Sequence, residues 1–315
     1  MFNFLTTDCI KQIMQKIKVG IVGFGNIGKQ LKQQIEANKN FKLVATFSRR
    51  KIAGCVSYEE IANYKGKIDI MFLCVGSQTD LEQVAFSLAK DFNTIDCYDN
   101  HNRIKPYIEK RAEIAKQNQK VCLCALGWDP GIFSLMRAIF GSLNVNYHTF
   151  WGKGLSQGHT QAVKSIKNVK DALQFTIPNK NAIKIIEQGM ELADTTQLHK
   201  RLCYVVCEPQ FQQQIKRQII NMPDYFVGYK TTVKFVSQQQ LDELKTFHHK
   251  GVVIAPNCEM KFELNLKSNP EFTARVLVAF APTLMYLSKQ QKYGAYTILD
   301  IPLSLVIDKE KFHYI

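Results

Sequence analysis

No apolar run in this 315-residue chain approaches the roughly 18 residues a membrane-spanning helix needs, so an integral helical membrane protein is excluded. There is no C-x-x-C pair, and nine cysteines at irregular spacing provide neither a zinc site nor a disulfide framework. An odd count in a chain this long points to reduced, mostly buried thiols in a cytosolic protein. Acidic residues are scarce: 27 Asp and Glu against 41 Lys and Arg leave a net charge of +14. That surplus suits a nucleic-acid binder or an enzyme with a polyphosphorylated ligand. No basic run with interleaved aromatics is present, so specific nucleic-acid binding is not expected. The opening MFNFLTTDCIKQIMQK lacks the long apolar stretch of a secretory signal and reads as an extension, residues 1–16. What remains is an ordinary globular composition, 46% hydrophobic and 22% charged.

The first half of the chain alternates between strand and helix signals. Residues 17–23 (IKVGIVG) form a short β-branched run ending in the turn Gly23-Phe24-Gly25-Asn26-Ile27-Gly28. Ile27, Leu31 and Ile35 then recur at helical spacing, and a second apolar run covers Phe41 to Phe47. Strand, glycine turn, helix and strand within about thirty residues form the setting a dinucleotide fingerprint requires. Gly23 permits the tight turn, Gly25 admits the pyrophosphate, and Gly28 lets helix and strand pack closely. The uncapped N–H groups at the helix start and the helix dipole favour phosphate there.

The end of the second strand refines the cofactor. An NAD site would carry a carboxylate there for the ribose 2′-hydroxyl. This chain has Ser48-Arg49-Arg50, a hydroxyl and two guanidiniums suited to a 2′-phosphate. NADP(H) is therefore the expected cofactor.

Further strands are expected at Ile68–Val75, Phe92–Ile95 and Val121–Leu126, with helices near 80–90 and 105–118, giving five parallel strands. Loops at strand carboxyl ends line the ligand crevice of a doubly wound sheet. Cys74, Val75, Gly76, Ser77, Thr79, Asp99, Asn100 and His101 are accordingly expected beside the cofactor, and Gly127–Gly131 at its nicotinamide end. Helical spacing returns late, at Leu277, Phe280, Leu284 and Leu287.

GFGNIG, SRR and CYDNH are followed by Gly127-Trp128-Asp129-Pro130-Gly131, HTFWGKGLSQGH (148–159), His199-Lys200-Arg201, MPDYFVGY (222–229) and Asn269-Pro270-Glu271-Phe272-Thr273-Ala274. From about Lys18 to about Thr297 this succession resembles the meso-diaminopimelate dehydrogenases. Lys153 stands where that family usually has proline, and Asn102-Arg103 follow His101 where it commonly has an acidic residue. The resemblance implies NADP-dependent, reversible oxidative deamination of the D-centre of meso-2,6-diaminopimelate, releasing ammonia. The product, L-2-amino-6-oxopimelate, cyclises to tetrahydrodipicolinate in the lysine and diaminopimelate pathway. It implies an α/β protein: a Rossmann-like doubly wound parallel sheet plus a second α+β domain for substrate and dimerisation, assembled as a cytoplasmic homodimer. The implied domains are 17–128, completed by 272–315, for NADP and 129–271 for substrate.

Diaminopimelate carries an ammonium and a carboxylate at each end, so its site needs carboxylates and cationic or amide donors held a substrate length apart. Asp99 and Asp129, on adjacent crevice loops, are candidates to hold the D-centre amine and to act in catalysis. Each could instead be structural, Asp129 capping a helix and Asp99 fixing its own turn. Trp128, Trp151, Gln157 and Gly158 are implied at the same end by the resemblance. Thr176, Arg201, His249 and Asn269 match family positions for the distal L-centre, where Arg201 can grip a carboxylate bidentately. His199 reads as a neighbour of Arg201 outside the site, and MPDYFVGY as strand and loop scaffold. A semialdehyde-type reductase would need an activated cysteine, whereas Cys122 and Cys124 lie inside an apolar strand. No metal is expected.

Overall fold

The computed structural model describes residues 16–307 apart from 78, 79, 144, 191, 193, 224, 247, 257 and 258. Thr79 and nearly all of the N-terminal extension lie outside the described residues. The chain divides into two compact units, one of residues up to Leu135 together with those from Pro270, the other Met136–Asn269.

The first unit opens with β1 (Ile17–Val22), whose branched apolar side chains are buried along nearly its whole length. A strand covered on both faces needs such a continuous apolar run. Helix α1 (Asn26–Glu36) turns Gly28, Leu31 and Ile35 inward at three- and four-residue spacing. There follow β2 (Phe41–Ser48), β3 (Val56–Ser57), β4 (Ile70–Leu73), α2 (Leu81–Leu88), β5 (Asn93–Asp96), α3 (Ile104–Gln117) and β6 (Val121–Leu123).

Helix α4 (Ile132–Ser142) leads to β7 (His148–Trp151), β8 (Gly154–Leu155), α5 (Gln157–Lys164) and β9 (Asp171–Pro178). Helix α6 (Lys180–Glu187), β10 (His199–Val206), α7 (Gln212–Ile220), β11 (Lys230–Phe235), α8 (Gln238–Glu243), β12 (His249–Ala255) and β13 (Met260–Leu266) complete the second unit. Its sheets are ordered β11-β10-β9-β8 and β13-β12-β7. Val163, Cys203, Val205, Ile215, Ile219 and Phe226 form one of its cores.

The chain then returns through α9 (Asn269–Lys289) and β14 (Gly294–Tyr296). Leu277, Phe280 and Leu284 of α9 pack in one core with Ile21, Phe72 and Leu123. The seven strands of this unit run in the order β14-β6-β5-β4-β1-β2-β3, and every pairing is parallel. Strand order reverses on either side of β1, which opens a crevice at the carboxyl ends of β1 and β4.

Two sheet strands were not legible in advance. β3 and β14 contain two and three residues, too short to show a period of two. The described residues of MPDYFVGY form turns, and strand begins only at Lys230.

Candidate active site

A cavity of about 420 Å³ opens at that reversal, lined by Gly23, Phe24, Gly25, Ser48, Arg49, Arg50, Cys74, Val75 and Gly76 among others. Gly23 has φ +95°, and a Cβ there would stand 2.6 Å from the Cys74 carbonyl oxygen. A Cβ on Gly28 would lie 2.1 Å from the Gly23 carbonyl oxygen, so helix and turn pack without room for a methyl group. Above Gly25 nothing lies within 4 Å, and the backbone is open to a ligand. Helix α1 has no side-chain cap and no acidic residue in its first turn. Its terminal N–H groups, which need partners, face phosphate chemistry unopposed. Asn26 and Ile27 begin that helix. Tyr58 and Asp80 also line it, and neither was singled out from sequence.

The two arginines differ. Arg49 donates to both carboxylate oxygens of Asp80, the longer bond measuring 3.1 Å. That pairing raises the Arg49 pKa. Arg50 donates its backbone N–H to Ser48 Oγ at 3.1 Å, and its exposed side chain forms no ion pair among the described residues. A polyanion entering this pocket therefore finds Arg50 uncommitted and Arg49 already engaged.

The neighbouring loops are tied together. Ser77 Oγ accepts from the Asp99 N–H at 3.2 Å. Asp99 is exposed to solvent, yet the surrounding protein pushes its carboxyl pKa up, against the opposing pull of Ser77 and His101. Asn100 is half-buried and His101 exposed at the start of a short 3-10 turn. Burial raises the Cys74 thiol to about 12, which keeps it protonated. Cys122 and Cys124 are fully buried and their pKa values also rise, so neither is an activated nucleophile. Trp128 meets Phe133 edge-on at 5.3 Å, and Asp129 beside it is buried.

The second unit gathers its own polar cluster. Thr176 and Arg201 are cross-strand partners on β9 and β10, and Arg201 donates to Thr176 Oγ1 at 2.7 Å. Gly154 on β8 pairs with Thr176, and a Cβ on it would lie 3.4 Å from His249 Cα. Thr176, Arg201 and His249 are thereby brought to one place, each at most 9% exposed. Burial lowers the Arg201 pKa, with Tyr229 acting the other way. The guanidinium centre sits 4.1 Å from the Tyr229 ring centroid. No carboxylate pairs with Arg201 among the described residues, and its buried Nε has no hydrogen-bond partner. A buried cation of this kind calls for an anionic ligand.

Trp151 joins the cluster through His199, whose Nε2 accepts the Trp151 N–H at 2.8 Å. The two rings lie 5.1 Å apart. Burial, then Arg201, lowers the His199 pKa to about 3 and keeps the ring neutral. Gln157 is exposed and Gly158 half-buried at the start of α5, while Asn269 opens α9; none of the three is hydrogen-bonded to Arg201. Tyr229 was read as scaffold, since an aromatic face leaves no spacing signal, and His199, read as a neighbour of Arg201, feels its charge.

A parallel sheet with a phosphate-receptive helix terminus and a basic pocket beside it defines a dinucleotide-binding unit. The family profile of the diaminopimelic acid dehydrogenase C-terminal domain matches residues 127–268. The meso-diaminopimelate D-dehydrogenase of Acetivibrio thermocellus is 41% identical across 92% of this chain and 93% of its own length. That of Corynebacterium glutamicum is 36% identical across 91% and 94%. The solved C. glutamicum DAP dehydrogenase in complex with DAP matches with a TM-score of 0.88 and 34% identity, covering 94% of this chain and 97% of that one. An engineered D-amino acid dehydrogenase bound to NADP+ matches at 0.85 and 32%, with the same coverage. The chain belongs to the meso-diaminopimelate D-dehydrogenase family.

Proposed function

We propose that this chain catalyses NADP(H)-dependent, reversible oxidative deamination of the D-centre of meso-2,6-diaminopimelate. The observation that carries the substrate reading is Arg201, a buried guanidinium with an unpartnered Nε and no carboxylate paired with it among the described residues. Thr176, Arg201, His249 and Asn269 take the distal L-centre, with Arg201 on its carboxylate. Asp99 and Asp129 hold the D-centre amine, and Trp128, Trp151, Gln157 and Gly158 line that end.

Gly23 to Gly28 receive the pyrophosphate at the start of α1. Ser48 and Arg50 take the 2′-phosphate, with Arg49 as a second cation, and Cys74 to Ser77 and Asp99 to His101 line the nicotinamide end. Bound NADP+ supplies the hydride acceptor. The protein orients the D-centre carbon and withdraws a proton from its ammonium, since only the neutral amine can drive hydride loss. Asp99, whose carboxyl pKa is pushed up by desolvation, is the carboxylate set to accept that proton. Hydride loss leaves a substrate imine; water adds to it and ammonia departs, giving L-2-amino-6-oxopimelate, which cyclises to tetrahydrodipicolinate.

Family membership supports a cytoplasmic enzyme working as a homodimer. The test is stoichiometry: meso-diaminopimelate and NADP+ should yield NADPH and ammonia in equal amounts. NADPH without ammonia would refute the deamination.

A further inference from the structure

We propose that Tyr229 is a positioning residue for the substrate's distal carboxylate, its ring holding the Arg201 guanidinium in place against Thr176. The inference rests on the assignment of Arg201 to that carboxylate and adds what keeps the guanidinium ready.

Burying a guanidinium ordinarily requires a carboxylate partner. In this cluster Arg201 has instead the Thr176 hydroxyl at 2.7 Å, the Tyr229 face at 4.1 Å and the Tyr229 hydroxyl within hydrogen-bonding reach. A cation within about 6 Å of an aromatic centroid is attracted by the ring's quadrupole, most strongly where water is excluded. The ring thus stabilises the charge without neutralising it. An acidic residue in its place would pair with Arg201 and close the cluster to an anion. An apolar one would leave the guanidinium buried with a single hydroxyl, free to swing away.

The fold holds the ring where this role needs it. β11 runs parallel to β10 with Thr231 opposite Arg201, and Tyr229 lies in the turn that leads into β11. Gly228 adopts φ +86° just before it, and a Cβ there would stand 3.2 Å from Thr196. The Tyr229 N–H donates to the Phe226 carbonyl at 3.1 Å, and Phe226 is fully buried in the core. Thr231 Oγ1 donates to the Tyr229 carbonyl at 3.2 Å. His199, the adjacent ionisable group, is held neutral and offers no rival charge to the substrate. The positive charge offered to the distal carboxylate thereby comes from one guanidinium, and Tyr229 sets its aim.

Tyr229→Leu and Tyr229→Phe test this in the intact enzyme, with Tyr229→Met as a second apolar replacement should the leucine variant fail to fold. Loss of the ring should raise KM for meso-diaminopimelate by about five- to thirtyfold. The kcat and the Kd for NADP+ should stay near the unmodified values, and Tyr229→Phe should restore most of the lost affinity. A KM unchanged in the apolar variants overturns the proposal. So does a KM rise matched by equal losses in NADP+ binding and melting temperature, the mark of a purely structural residue. Arg201→Met separates the levels. If it leaves KM unmoved, the distal-carboxylate assignment itself fails; if it raises KM where Tyr229→Leu does not, only the role of Tyr229 falls.

Discussion

Asp80 holds Arg49 by both carboxylate oxygens at the rim of the cofactor cavity, while Arg50, one residue on, carries no such partner among the described residues. A carboxylate thus stands in a pocket whose strand end has none. On the proposed reading, the charge available to a 2′-phosphate rests chiefly with Arg50.

Arg50→Ala should therefore weaken NADP+ more than Arg49→Ala, by about ten- to a hundredfold, the value of a charge-assisted contact. NAD+ affinity should change little in either. Asp80→Asn removes a like charge and frees Arg49, so NADP+ should bind several-fold tighter at low salt, with NAD+ unaffected. Calorimetric titration of both cofactors reads all three variants. Equal losses for the two arginines, or looser NADP+ binding in Asp80→Asn, would contradict this division.

The glycines of the turn separate folding from binding. Gly28→Ala places a Cβ 2.1 Å from the Gly23 carbonyl oxygen and should destabilise by about 1–3 kcal/mol. Gly25→Ala meets nothing within 4 Å, so its melting temperature should hold while its Kd for NADP+ rises at least tenfold. Thermal unfolding paired with titration distinguishes the two; equal destabilisation would mean that Gly25 serves the fold.

Acid stability offers a test of His199. Its pKa is about 3 in the folded protein against 6.5 for an unhindered imidazole. Between these values the unfolded chain binds a proton at this histidine that the native state does not, so stability falls as pH drops through that window. His199→Gln keeps an acceptor for Trp151 N–H and removes the titration. Its denaturant-unfolding free energy, relative to the unmodified protein, should flatten with pH by about 1 kcal/mol per unit near pH 5. A parallel pH dependence in the two proteins would show that the imidazole titrates normally.

Legibility in the sequence followed locality. The glycine turn, the β-branched run before it and the helix after it lie within one short stretch, so composition and spacing carried them. The return of Leu277, Phe280 and Leu284 was visible for the same reason, because a helix repeats its own pattern. Asp80 was not, since its meeting with Arg49 depends on loops after β2 and β4 that lie 31 residues apart. Tyr229 was read as scaffold because stacking on a guanidinium across two strands has no periodicity. The distal residues Thr176, Arg201 and His249 came from family likeness, and the structure supplies their physical link through β8 to β10 and β12. Within the cofactor turn, residues were legible one by one; in the second unit only their pairing made chemical sense.

The most direct measurement is the steady-state rate with the meso, LL and DD isomers of diaminopimelate, each with NADP+ and with NAD+. The account predicts rapid NADPH formation from the meso isomer, with little from LL and little from NAD+ in any combination. Comparable turnover of LL and meso substrate would contradict the assignment of the D-centre.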